Sequence, residues 1–113
     1  MITLNLKREP YWINLLDGVS LYVRPATTAL IMAARAATLK ENIENDIERA
    51  SALIRHLGRL AILEWKGIGD PDGNPAPVTP ETVGALLDLW PVSEAFERLY
   101  LTPALLLEQE KNG

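Results

Sequence analysis

A glycine- and proline-rich stretch, residues 67–78, interrupts a sequence that is otherwise rich in helix formers. Its three glycines and three prolines disfavour a continuous helix, because glycine is conformationally free and proline lacks the backbone N–H donor. The helical region before it must therefore end near Trp65. Thr79-Pro80-Glu81 then predicts a new helix, in which threonine caps, proline suits the first turn and the carboxylate favours the positive end of the helix dipole.

The overall composition predicts one folded domain spanning residues 1–113. The chain is 48% hydrophobic and 23% charged, which is the range of ordinary globular proteins. It contains no cysteine, so neither a disulfide framework nor a thiolate metal site is available. No apolar run approaches the ~20 residues of a membrane span, and the N-terminus lacks the pattern of a signal peptide. We therefore expect a cytoplasmic protein without a membrane partner.

The first 24 residues carry the patterns of β-structure. Ile2 to Lys7 alternates apolar and polar side chains, as a half-buried strand does. Two further β-rich runs, 11–16 and 19–24, are separated by Asp17-Gly18, which suits a two-residue hairpin turn. The sequence thus predicts an N-terminal β-hairpin or small antiparallel sheet, which needs an apolar support because an isolated hairpin is marginal in water.

Residues 26–66 are predicted to be helical. Thr27 or Thr28 can cap an alanine-rich helix, which we expect to be packed. Asn45, with Glu48 three residues later, suits a capping box. From Ile43 to Trp65, apolar residues recur every three or four positions, the spacing of a long amphipathic helix.

Residues 79–110 are predicted to form further helices, followed by a frayed tail at 111–113. Pro91 is expected to end one helix and open the next, Val92 to Leu101. Thr102-Pro103 repeats the Thr-Pro start and predicts a last short helix, Ala104 to Glu110. The fold class is therefore α+β and mainly α, with the hairpin or small sheet packed on four to five helices.

The loop also carries an acidic cluster with metal-ligand spacing. Asp70, Asp72, Asn74 and Glu81 stand at positions one, three, five and twelve of a calcium-loop pattern. Position six is Pro75, where such a loop needs glycine, and a turn formed by Asp-Pro-Asp-Gly-Asn explains the same residues. We predict no metal and no cofactor, with these four side chains as weak metal candidates and a metal-assisted enzyme as the corresponding alternative.

His56 is the single histidine. General acid-base catalysis couples such a group to a nucleophile or an orienting carboxylate, and local spacing places neither beside it. A histidine at the helix surface is the simpler interpretation. We find no catalytic constellation and expect a protein that is not an enzyme.

The charge is distributed unevenly, with a net value of −4. Residues 67–113 carry eight acidic and two basic groups, whereas residues 1–40 are net basic. An acidic C-terminal half disfavours binding to the phosphate backbone, which needs clustered lysine and arginine. We therefore expect no nucleic-acid partner.

Large apolar side chains in the second half have two alternative roles. They can pack in the core, or some can line an exposed groove that grips an apolar segment of another chain, because tryptophan and tyrosine are enriched at binding hot spots. The candidate partner-binding residues are Trp65, Trp90, Phe96, Tyr100 and Leu101.

These residues also belong to a pattern with a family resemblance. The pattern comprises Trp65-Lys66-Gly67-Ile68-Gly69-Asp70, Asp72-Gly73, Pro75, Val78-Thr79-Pro80-Glu81, Leu86-Leu87, Leu89-Trp90-Pro91, Ala95-Phe96 and Leu99-Tyr100-Leu101, with Val23-Arg24-Pro25 and Thr27-Thr28-Ala29 upstream. It resembles the short form of the tail assembly chaperones of long-tailed bacteriophages and prophages.

The resemblance implies a non-enzymatic protein that binds the tape-measure protein, keeps it soluble and helps the tail-tube protein to polymerise around it. It implies a location in the cytoplasm of the bacterial host and absence from the mature virion, and it leaves homo-oligomerisation open. The alternative is a structural tail-completion or connector component of the virion.

Overall fold

The computed structural model of this chain describes Met1 and residues 9–104. Its elements, in chain order, are β1 (Tyr11–Leu16), β2 (Val19–Val23), α1 (Thr28–Lys40), α2 (Asp46–Ala61), β3 (Ile62–Lys66), α3 (Pro80–Leu87), α4 (Trp90–Phe96) and a π-helical turn (Glu97–Leu101). The strands form one antiparallel sheet in the order β1-β2-β3. This confirms an α+β, mainly α fold with a small antiparallel sheet.

The predicted hairpin is present, and it places alternate side chains on the core side of the sheet. Asp17-Gly18 forms the turn between β1 and β2, and Gly18 adopts the positive φ of +77° that such a turn requires. Four inward side chains are buried, namely Ile13, Leu15, Leu21 and Val23. The strand expected over Ile2 to Lys7 lies outside the described residues.

The prediction that residues 26–66 are helical is wrong for residues 62–66. Helix α2 ends at Ala61, and β3 pairs antiparallel with β2, placing Trp65 opposite Leu21. The spacing of the apolar residues here fits both a helix and a strand, so it does not decide between them. The sheet decides between helix and strand. The edge of β2 that does not pair with β1 carries backbone N–H and C=O groups that need hydrogen-bond partners, and residues 62–66 supply them as a strand.

Three side-chain caps fix where the helices begin, at residues that the sequence marks as caps, although Asn45 acts without the reciprocal Glu48 bond of a capping box. The Thr27 hydroxyl accepts a hydrogen bond from the backbone N–H of Leu30 at 3.3 Å. The Asn45 side chain accepts from the N–H groups of Ile47 and Glu48 at 2.8 and 3.1 Å, so α2 begins after Asn45 and not at Ile43. Thr79 caps α3 and exchanges hydrogen bonds with Thr82 in a capping box.

Pro91 opens a helix as predicted but does not end the one before it, and Pro103 does not interrupt its helix. Helix α3 ends at Leu87, and Pro91 lies in the first turn of α4, where its missing N–H needs no partner. The chain then remains helical through residues 97–104, without a break at Pro103. The wider turn just before Pro103, where the Thr102 N–H bonds to the Glu97 carbonyl five residues back, offers room for the proline ring. The rest of the last predicted helix, after Ala104, and the tail at 111–113 lie outside the described residues.

The helices cover one face of the sheet and form a single core with it. Helices α2 and α3 approach closely at Gly58: a Cβ atom there would lie 2.2 Å from Cδ1 of Leu87 and 3.3 Å from Cγ1 of Val83. None of the helices in the described part of the chain is both long enough and apolar enough to cross a bilayer.

Candidate functional site

Trp65 belongs to the framework of the fold. It lies on the inner face of β3, half-buried against the core, and its indole N–H donates a 2.8 Å hydrogen bond to the Ala76 carbonyl. That bond ties the glycine- and proline-rich loop to the sheet. The ring of Trp65 is therefore occupied by intramolecular contacts.

Phe96 and Tyr100 are also core residues, with 0% and 2% of their surface exposed. They are four residues apart on one helical face, and their rings stack with centroids 5.0 Å apart. A partner cannot reach them in this structure, so their assignment as contact residues needs correction. Leu101, beside them, is half-buried against the same core.

The hydroxyl of Tyr100 donates a 2.6 Å hydrogen bond to the backbone carbonyl of Arg24, at the end of β2. Burial raises the pKa of Tyr100 well above its ordinary value, and the nearby hydroxyl of Tyr11 raises it further. Burial also raises the pKa of Tyr11. The phenol of Tyr100 is thus held neutral and serves as a structural donor.

Trp90 is the one predicted contact residue whose ring faces solvent, with 72% of its surface exposed. It is the first residue of α4, and it points away from Val92, which is buried, because two residues along a helix turn the side chain by roughly 200°. Leu89, the preceding residue, is also exposed. Leu89 and Trp90 together form an apolar corner between α3 and α4, which we call the 89–90 corner.

A second apolar surface lies between α1 and α2, where the sequence predicts a packed helix. This α1–α2 groove has a volume of about 340 Å³ and is lined by Arg35, Thr38, Leu39, Asp46, Arg49, Ala50 and Leu53. Leu39 is 73% exposed, and Ile47, one turn before Ala50, is 82% exposed. Apolar residues lie on several sides of α1, and only Ala34 and Thr38 are fully buried, so one neighbouring helix cannot cover them all.

Comparison with known families assigns the chain to a prophage. Residues 23–113 match the family model described as the YdaY prophage protein. The chain belongs to the YdaY prophage protein family. No curated protein and no solved structure shows significant similarity to it. The prophage origin that the resemblance implies is thereby confirmed.

In this YdaY-family protein the acidic cluster of the loop forms a turn. A carboxylate oxygen of Asp70 accepts hydrogen bonds from the backbone N–H groups of Asp72 and Asn74, both at 2.9 Å. Glu81 lies in the first turn of α3. Within residues 9–104, no three histidine, aspartate or glutamate side chains are grouped to hold a metal ion. The two hydrogen bonds of Asp70 show the turn that Asp-Pro-Asp-Gly-Asn predicts.

The structure gives His56 a carboxylate partner that local spacing did not reveal. Its Nε2 atom lies 2.7 Å from an Oε2 atom of Glu41, which follows the last residue of α1. The pair joins the end of α1 to the middle of α2. It therefore supports the arrangement of the two helices that border the groove.

The outer face of the sheet presents an aromatic pair that the sequence analysis did not single out. Trp12 and Tyr22 face each other across β1 and β2 with ring centroids 5.0 Å apart. The Lys66 ammonium lies 4.3 Å from the centre of the Trp12 ring, in a cation–π contact. These three side chains contact one another, so the Trp12 ring is partly covered, whereas the Trp90 ring faces solvent.

Proposed function

We propose that this prophage protein is a tail assembly chaperone, which binds the tape-measure protein and assists assembly of the tail tube. In this proposal it is not an enzyme, it acts in the cytoplasm of the bacterial host and it does not remain in the mature virion. The support is its membership of a prophage family, the residue pattern from Val23 to Leu101 that resembles the chaperones, and an exposed apolar corner.

The observation that carries the proposal is the exposure of Trp90. A large aromatic ring in water is unfavourable, and an exposed apolar site is typical of binding surfaces. Leu89 extends the apolar surface beside it. Truncating a tryptophan at the centre of an interface commonly weakens binding by about 2 kcal/mol or more, roughly 30-fold in Kd.

The charges near the corner indicate which partner segment fits. Asp88 directly precedes the 89–90 corner, and Glu94 and Glu97 follow in α4 and the turn after it. Arg98 is paired with Glu94 at 3.1 Å. The charges of Asp88 and Glu97 are therefore not balanced by Arg98, and the surroundings of the corner are acidic. An amphipathic helix with an apolar anchor and flanking lysine or arginine residues complements this surface. A tape-measure protein has to keep such apolar helix faces covered before assembly.

The direct test is co-expression with the tape-measure gene of the same prophage. We expect the wild-type protein to make the tape-measure protein soluble and to co-purify with it. Trp90→Ala should remain folded and lose most of the co-purification. Trp12→Ala is the matched control, because it removes a partly exposed tryptophan from the outer face of the sheet and should retain binding.

Two results would contradict the proposal. One is equal co-purification by the wild type and Trp90→Ala, and the other is a tape-measure protein that stays insoluble in both cases. Mass spectrometry of purified particles provides a separate check, since a chaperone should be missing from them. Abundant copies in mature virions would favour the structural tail-completion or connector alternative.

A further inference from the structure

Helix α1 carries an uncovered apolar face opposite its buried residues, Ala34 and Thr38. Five exposed apolar side chains form this α1 outer face, namely Ala29, Met32, Ala33, Ala36 and Leu39. At ~100° per residue they fall within an arc of ~120° around the helix axis. A surface helix normally presents polar side chains to water, so an apolar solvent-facing side indicates a surface that another element covers.

The relief of the α1 outer face suits a second helix. Its three alanines lie side by side along the helix and leave a shallow strip, whereas Met32 and Leu39 form a raised edge beside them, with 55% and 73% of their surfaces exposed. Such a ridge beside a strip of small residues lets the side chains of a packed helix interdigitate. The face is roughly 17 Å long, which is about three helical turns.

The charge at this face is positive. Lys40 falls within the apolar arc, and Arg35 lies ~40° beyond the edge formed by Leu39. Helix α1 contains no acidic residue, and neither basic side chain forms an ion pair within residues 9–104. Asp46, which lines the α1–α2 groove together with Arg35, is already paired with Arg49 at 2.8 Å.

We propose that the α1 outer face is a docking site for an acidic amphipathic helix of another protein. Apolar anchors of that helix, spaced three and four residues apart, pack over the alanines and against Met32 and Leu39. Its glutamate or aspartate side chains meet Lys40 and Arg35. A second copy of α1 is a poorer occupant, because it brings the same two basic residues and no carboxylate to the contact.

This inference goes beyond the proposed function, since it assigns a second site with the opposite charge preference. The 89–90 corner lies in acidic surroundings and complements a helix with basic flanks, whereas the α1 outer face complements one with acidic flanks. The two surfaces belong to different elements, and both are exposed in the same molecule. One copy of the protein can therefore hold two helices of opposite charge.

Fluorescence anisotropy with a labelled synthetic peptide tests the site on the full chain. The peptide is an amphipathic helix of about 18 residues with leucine anchors and flanking glutamates, and a second version carries lysines in place of the glutamates. We expect the glutamate peptide to bind the wild type with a Kd on the order of 10–100 µM, as suits a small transient contact. Ala36→Glu should weaken this binding by about tenfold or more, because it places a carboxylate at the centre of the face.

Two variants serve as controls for Ala36→Glu. Ser51→Glu adds the same charge at an exposed residue of α2 and should leave the affinity for the glutamate peptide unchanged. Trp90→Ala should also leave it unchanged, because the corner is a separate site. Circular dichroism melting of every variant separates lost binding from lost folding.

Charge reversal tests the preference for an acidic partner. Lys40→Glu should weaken binding of the glutamate peptide by about fivefold, whereas Lys66→Glu, which makes the same change of net charge on the outer face of the sheet, should not. The chain has a net charge of −4, so nonspecific attraction does not account for binding of an acidic peptide. The lysine peptide should not bind Trp90→Ala, in which the α1 outer face is intact.

Several results would overturn the proposal. They are a glutamate peptide that does not bind the wild type, binding that Ala36→Glu leaves intact, and a lysine peptide that binds Trp90→Ala as tightly as the glutamate peptide does. A wild-type dimer in sedimentation velocity that Ala36→Glu abolishes would identify a second copy as the occupant instead. The proposed function is judged separately, because Ala36→Glu should still co-purify with the tape-measure protein.

Discussion

The hydroxyl of Tyr100 bonds to the carbonyl oxygen of Arg24 at 2.6 Å and thereby joins residues that are 76 positions apart in the chain. Arg24 directly follows β2, and its own N–H donates to the Ala61 carbonyl at the end of α2. One residue after β2 therefore connects the sheet to the last helical turn and to the long helix. The ends of three elements meet at this point.

Tyr100→Phe should lower the free energy of unfolding by about 1 kcal/mol at neutral pH, because the partly buried hydrogen bond to the Arg24 carbonyl is lost. Urea unfolding measures the change. Tyr22→Phe is the control, since Tyr22 lies on the outer face of the sheet, and it should change stability by less than about 0.5 kcal/mol. Equal effects of the two substitutions would contradict a structural role for the Tyr100 hydroxyl.

The stability of the wild type should also fall at alkaline pH because of Tyr100. Its pKa is raised in the folded state, so folding disfavours the phenolate. The stabilisation is fully present below the unfolded-state pKa of about 10 and decreases as the pH rises above it. Urea unfolding between pH 8 and pH 11.5, roughly the range around that pKa, should show a smaller decrease for Tyr100→Phe than for the wild type. Parallel curves would refute this assignment.

Gly58→Ala should destabilise the protein by about 1–2 kcal/mol, although alanine is the better helix former. The new methyl group would lie 2.2 Å from Cδ1 of Leu87 and would push α2 and α3 apart. Gly84→Ala is the matched control, because its methyl group would meet the flexible end of Arg59 at 2.6 Å. The melting temperature of Gly58→Ala should therefore be clearly lower than that of Gly84→Ala. The reversed order would show that α2 and α3 can separate freely.

Substitution by alanine should strongly destabilise the fold at Trp65 and leave its stability almost unchanged at Trp90. Trp65→Ala should lower the free energy of unfolding by about 3 kcal/mol, since the core contacts and the bond to Ala76 are lost. Trp90→Ala should change it by less than about 0.5 kcal/mol because the ring already lies in water. Chemical unfolding monitored by circular dichroism measures both.

Trp65→Phe isolates the hydrogen bond to the loop. The phenyl ring keeps much of the apolar contact and removes the N–H donor, so residues 67–78 should become easier to cleave. Limited proteolysis with proteinase K, followed by mass spectrometry, locates the cuts. Cleavage within 67–78 at the wild-type rate would show that this bond does not hold the loop.

The loop cluster should act as a turn and not as a calcium site. Asp70→Ala should lower the melting temperature, since Asp70 accepts two backbone hydrogen bonds, whereas Asp72→Ala should have little effect. Calcium chloride at millimolar concentration, roughly the affinity of weak calcium modules, should leave the melting temperature unchanged. A calcium-dependent increase that Asp72→Ala abolishes would restore the metal interpretation.

The features that could be predicted from the sequence depend on a few neighbouring residues. Asp17-Gly18 determines the hairpin turn, because only local backbone conformation decides it. Thr79 and Asn45 mark helix starts, because a side-chain oxygen reaches N–H groups two or three residues away. Pro91 shows the limit of such rules, since a proline is compatible with either the end or the first turn of a helix.

Long-range features could not be predicted in the same way. Residues 62–66 have a pattern compatible with a helix or a strand, and the neighbouring edge of β2 selects the strand. Phe96 and Trp90 are both large and aromatic, yet one is buried and the other exposed. The residues next to Phe96 and Trp90 in the sequence do not predict which of the two is buried, because burial depends on which element packs against each face of the helix.

By itself, the sequence determined the turn, the helix caps, the secondary-structure class of most segments and, through its family pattern, the prophage origin. These follow from local hydrogen bonds, backbone preferences and recognisable residue spacing. Only the tertiary structure decided that β3 joins the sheet, that Trp65, Phe96 and Tyr100 support the fold, and that Trp90 and the α1–α2 groove remain uncovered. The physical reason is that burial and strand pairing are settled between segments far apart in the chain.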